Sequence, residues 1–133
     1  MALSIVGGGY QVGDGNTGET QMSYMATPLT ATTTATLTVA QMTSAVLVAN
    51  PGASAASYTT PTGTALDNLL VNARVGSTFD VAIINLGTSS GVVTLVAGTG
   101  ITIVGLATIA ITSQAQVRLL RTGTGTWTLY RIA

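Results

Sequence analysis

Cysteine, histidine and lysine are all missing from these 133 residues, and only 6% of the chain is charged. Each gap excludes a chemistry. Without cysteine there is no disulfide and no thiolate metal site, although the redox compartment stays open. Without histidine and lysine the usual general base, the commonest metal ligand and the Schiff-base nucleophile are gone. The charges that remain cancel: Asp14, Glu19, Asp67 and Asp80 against Arg74, Arg118, Arg121 and Arg131. No basic stripe follows a phosphate backbone and no polybasic cluster suits an anionic membrane, so neither nucleic acid nor a membrane is an expected partner.

What is present is apolar and small. Hydrophobic residues make up 47% of the chain, while soluble domains usually carry roughly a quarter charged residues. The surface must therefore be largely Thr, Ser, Gly, Ala or openly apolar, a surface poorly protected against association. The composition describes a subunit that lives against other protein. The opening "MALSIVGGGY" has no basic region and its apolar stretch is broken by glycines, so it does not read as a secretory signal. The uncharged run "VVTLVAGTGITIVGLATIAI" (92–111) has the hydropathy of a membrane span, but its recurring Thr and the spacing of Gly98, Gly100 and Gly105 are those of short strands.

Length allows one domain with an appendage. Residues 1–30 read as an extended N-terminal arm. "SIVGGGYQVGDGNTGET" (4–20) is rich in glycine and short polar residues, with isolated apolar ones. Such a segment does not fold alone, but it can order on a partner by laying its backbone along a sheet edge. Leu3, Ile5, Val6, Tyr10 and Val12 are spaced to fill separate pockets, and Met22, Tyr24 and Met25 are adaptable contact residues.

Residues 31–133 read as the body. "TTTATLTVAQM" alternates in strand fashion, and "AVLVA" (45–49) ends at the turn Asn50-Pro51-Gly52. "TPTGTALDNLLVNA" (60–73) is the one helix expected, with Pro61 in its first turn and Thr64 with Asp67 as a capping box. From Ser77 onward short strands are joined by "GTSSG", "GTG", "SQ" and "GTGT". The expected fold is all-β: a compact antiparallel β-sandwich or barrel with one short helix and the extended arm. Trp127, Leu129 and Arg131 fall on one face of the last strand and Thr128, Tyr130 and Ile132 on the other, so that strand is expected to touch a neighbour as well as its core.

The matches to catalytic motifs fail on context. Gly13–Gly18 fits G-x-G-x-x-G, but the sequence shows no convincing strand before it and no amphipathic helix after it. Asp14, Asn16 and Glu19 lack the remaining ligands of a calcium loop, so no metal is expected. Gly87–Gly91 fits G-x-S-x-G, yet the chain has no histidine to take the serine proton; a hairpin connection is expected there. Asp67 and Asp80 lack the supporting groups of a glycosidase pair. Thr-x-Thr rows occur without the fixed period of a flat ice-binding face. No catalytic residue, cofactor or enzymatic activity is expected. Asp80 is placed to pair with Arg118 or Arg121, and Arg118, Arg121, Trp127, Tyr130 and Arg131 are candidate subunit contacts.

"GGGYQVGDGN", "TATLTVAQM" and "VGSTFDVAIIN…GVVTLVAGTGITIVG…RLLRTGTGTWTLYRI" together resemble small β-rich virion proteins of tailed phages, above all capsid decoration (cement) proteins. The likeness is one of texture over most of the chain and carries no catalytic residue. It implies a homotrimer on the outer surface of an icosahedral shell, its arms reaching onto neighbouring major capsid protein subunits. The alternative is a receptor- or carbohydrate-binding module of a tail fibre or spike, with Tyr58, Trp127 and Tyr130 as the available aromatics. A β-rich assembly outside viruses is a third reading. Beginning at Met1 and ending just after a strand favours the free-standing decoration protein.

Overall fold

A computed structural model describes residues 22–133, together with the backbone of β1 (Ser4–Val6) and β2 (Gly9–Gln11). These two strands form a separate antiparallel pair, with Ile5 opposite Tyr10. Leu3, Val12, Asp14, Asn16, Glu19 and the Gly13–Gly18 stretch lie outside the described residues.

From Leu29 the chain alternates between two sheets. β3 (Leu29–Ala31) lies in a six-stranded sheet and β4 (Ala35–Thr36) in a four-stranded one. β5 (Val46–Ala49) returns to the first sheet, β6 (Ala56–Thr59) to the second, β7 (Thr78–Asn85) to the first and β8 (Val93–Val96) to the second. A strand that re-enters a sheet after passing through the opposite one runs in its earlier direction. Hence β3, β5 and β7 are parallel, as are β4, β6 and β8. β9 (Ile101–Val104) then takes the far edge of the six-stranded sheet, and β10 (Thr108–Ile109) pairs antiparallel with β8. The hairpin of β11 (Ser113–Gly123) and β12 (Thr126–Arg131) closes the gap, antiparallel to β7 on one side and parallel to β9 on the other.

The expected all-β antiparallel sandwich is therefore corrected. Both sheets mix parallel and antiparallel strands, and residues 22–133 are 43% strand and 10% helix. The physical reason is that a short glycine-rich connector can carry the chain to the facing sheet as readily as to the adjacent strand. Gly87–Gly91 is such a link, joining β7 to β8 across the two sheets and not closing a hairpin.

Helices cap the layers. In "TATLTVAQM" the strand stops at Thr36, and α1 (Val39–Met42) follows. The Thr38 hydroxyl accepts from the Gln41 backbone N–H at 3.1 Å, while Gln41 Oε1 accepts from the Thr38 N–H at 2.8 Å. This reciprocal box satisfies two helix-end donors and starts a helix inside a strand-like pattern. α2 (Gly63–Leu69) is shorter than expected, and Thr62 caps it by accepting from Ala65 N–H at 3.1 Å. Pro61 thus precedes the cap, and Asp67 is released from the capping role assigned to it.

The core lies between the sheets. Rows such as Leu47–Ile83–Ala115 and Phe79–Leu119–Leu129 cross the six-stranded sheet on its inner face. Tyr58, Leu95, Val93 and Ile109 answer them from the other sheet, and Met42 and Leu66 fill in from the helices. The buried Tyr58 hydroxyl reaches the carbonyls of Ala31 and Thr32, tying the end of β3 to the core.

Candidate partner-docking surfaces

One charged cluster fixes the geometry at the hairpin end of the molecule. Because Thr62 caps the helix, Asp67 is left to reach the tip of the β11–β12 hairpin. Arg121 binds its carboxylate in bidentate fashion, Nε to Oδ1 at 3.0 Å and Nη2 to Oδ2 at 3.1 Å. Trp127 Nε1–H donates to Oδ1 at 2.9 Å, and the Gly125 backbone N–H donates to Oδ2 at 2.6 Å. Arg121 Nη1 also donates to the Ala73 carbonyl at 3.0 Å. The two side chains of the ion pair are only 16–17% exposed. Gly125 adopts φ +66°, and its carbonyl lies so near Gly63 and Gly100 that a Cβ on either would collide with it. Hairpin tip, helix start and the turn before β9 are packed backbone to backbone, which requires glycine at the contact.

This cluster sets an acid limit on the fold. The Arg121 hydrogen bonds, followed by the Gly125 N–H, lower the Asp67 pKa to about 2. Asp80 is also held below the ordinary range, chiefly by Arg118. A carboxylate with a lowered folded-state pKa contributes stability that is fully present above its unfolded value of about 4 and is lost as pH falls toward the folded value. Acid unfolding is therefore expected to steepen between pH 4 and about 2. Asp67→Asn should flatten that segment of a pH titration followed by circular dichroism; an unchanged slope would show that Asp67 does not set the limit.

Beside the cluster lies a cavity of about 350 Å³, walled by Leu69, Leu70, Val71, Ala73, Phe79 and Trp127. The Phe79 and Trp127 rings meet edge to face, centroids 5.6 Å apart, and form its floor. Leu69 and Val71 stand exposed at the rim, with Val75 exposed on the same connection to β7. Asn72, Ser77 and Thr78 supply the polar lining. Such a hollow can take an apolar side chain and hydrogen-bond its backbone, but it offers no acid–base pair or nucleophile with a base. Among the described residues no three metal-ligating side chains lie together.

The other residues singled out from sequence are dispersed. Trp127 is 1% exposed and Arg121 is engaged by Asp67, so both serve the molecule's own interior. Arg118 lies on the outer face of the six-stranded sheet and clasps Asp80, with Nε–Oδ1 at 2.7 Å and Nη2–Oδ2 at 2.9 Å. Arg131 holds the carbonyls of Leu106 and Thr108, fastening the run between β9 and β10. Tyr130 is exposed beside Val104. Of the aromatics available for a sugar platform, Tyr58 and Trp127 are buried, leaving Tyr130. Met22 is 87% exposed, Tyr24 fully so, and Met25 about half. Ile5, Val6 and Tyr10 belong to the β1–β2 pair. Sequence reading missed the cavity because Trp127 of β12, far along the chain, must meet the 69–79 stretch to form it; the apolar rim "LLV" (69–71) was the available signal.

Comparisons with protein-family models, curated proteins and solved structures returned no match.

Proposed function

We propose that this chain is a structural virion protein that binds the outer surface of an icosahedral phage capsid and stabilises it by bridging neighbouring major capsid protein subunits. The observation that carries this reading is the segment before β3. Met22, Tyr24 and Met25 present large apolar side chains to solvent, while β3 and the body behind it close their own core. Large apolar groups held out in water favour a protein surface that would cover them. The arm then grips the shell and the two-sheet body acts as a rigid brace. Each grip can be weak, because several arms engaged at once raise avidity by roughly 10²- to 10⁴-fold. Contacts of this apolar, uncharged kind are little affected by salt. The resemblance noted in the sequence supports the same assignment.

The test is co-sedimentation of the full chain with expanded phage capsids, alongside a full-length variant carrying Met22→Ser, Tyr24→Ser and Met25→Ser. The wild type is expected to co-sediment and to raise the temperature at which the shell opens, and the variant to lose most of its binding while its circular dichroism is unchanged. Absence of wild-type binding, or equal binding by the variant, would overturn the assignment.

A further inference from the structure

The two sheets turn very different outer faces to their surroundings. Alternation along the four-stranded sheet points Ser57, Thr59, Thr94 and Thr108 outward, with Val96 the one large apolar residue among them, a mostly hydroxyl-bearing face suited to water. The same alternation along the six-stranded sheet points out Val46 and Val48 from β5, Ala82 and Ile84 from β7, Tyr130 from β12 and Val104 from β9. A sheet with one face in solvent ordinarily alternates apolar inward and polar outward. Polar residues run down the middle of the face as Gln114, Gln116 and Arg118 of β11, and Asp80, Thr102 and Thr128 interrupt the apolar outward residues of the neighbouring strands.

We infer that the outer face of the six-stranded sheet is the surface through which copies of this chain pack against one another. Charge favours a second copy as the occupant. The face carries one acid and one guanidinium, Asp80 and Arg118, already joined at 2.7 Å. Two such faces approach without repulsion, and each charge keeps its partner when water is excluded. Area is adequate as well. Strand spacing and rise give the paired residues of this sheet a footprint of roughly 500 Å², so two copies bury about 1,000 Å², the lower bound of a specific interface. The glutamines and the ion pair give the interface a polar seam that fixes register, with apolar contact to either side.

The test is light scattering coupled to size exclusion on the full chain, independent of any capsid. The wild type is expected to run as a closed oligomer. Ile84→Glu and Tyr130→Glu, on opposite flanks of the seam, are each expected to shift it to the 13.3 kDa monomer, with an unaltered circular dichroism spectrum. Thr94→Glu, on the hydroxyl face, should leave the oligomer intact. A monomeric wild type overturns the inference, as does an oligomer that survives both face variants or one broken only by Thr94→Glu.

Discussion

Trp127→Ala is expected to cost about 3–5 kcal/mol of folding free energy, the largest loss from truncating any one side chain here. The ring is 1% exposed and stacks edge to face with Phe79. Removing it merges the vacated volume with the adjoining cavity, so little neighbouring structure stands ready to collapse into the gap. Asp67 keeps Arg121 and Gly125 as donors, so the penalty is one of lost packing and not of an orphaned charge. Trp127→Phe, which retains a ring against Phe79, should lose clearly less. Urea unfolding followed by circular dichroism measures both. A loss below about 1.5 kcal/mol in the alanine variant would mean that the hairpin tip is held mainly by its glycine contacts.

Asn85→Leu is expected to be nearly as damaging, by about 3 kcal/mol or more, through a different mechanism. Asn85 is fully buried at the end of β7. Its amide nitrogen reaches the carbonyls of Gly91, Ile109 and Ala110 at 2.9, 3.0 and 3.1 Å, and its oxygen accepts from the Gly87 N–H at 2.8 Å. This one side chain therefore joins the 87–91 crossover to β10 on the opposite sheet. Leucine fills a similar volume but leaves those buried backbone groups without partners. Asn85→Asp tests the polarity of the arrangement, because an ionised carboxylate would face three carbonyl oxygens. Its folded-state pKa would be raised, so that variant should recover stability as pH falls below the raised value. A loss under about 1 kcal/mol in the leucine variant would mean that water takes over the bonds.

Both predictions rest on residues whose identity was plain in the sequence but whose importance was not. Trp127 was placed correctly on the face shared with Leu129, because period-two alternation reports which side chains point together. It does not report which face is inside, so the same residue also looked available as a contact. Asn85 gave no signal, since strand alternation does not report which distant carbonyls a buried amide will reach. Asp67 was assigned to a capping box by spacing alone. Thr62, not Thr64, caps the helix, and the carboxylate is free to reach Arg121, 54 residues later.

The sequence by itself determined the texture of this protein: a succession of short strands from Ser77 onward, a short helix near residue 66, a glycine-rich N-terminal segment, few charges and no histidine. These follow from local terms, namely side-chain alternation, turn residues and composition, which act within a few neighbouring residues. Only the tertiary structure decided that successive strands enter opposite sheets, that parallel pairing results, and that Asp67, Arg121, Gly125 and Trp127 meet. Those outcomes depend on which distant segments bury one another's apolar faces. A short glycine-rich connector is compatible with either route; the choice belongs to the core that closes between the sheets.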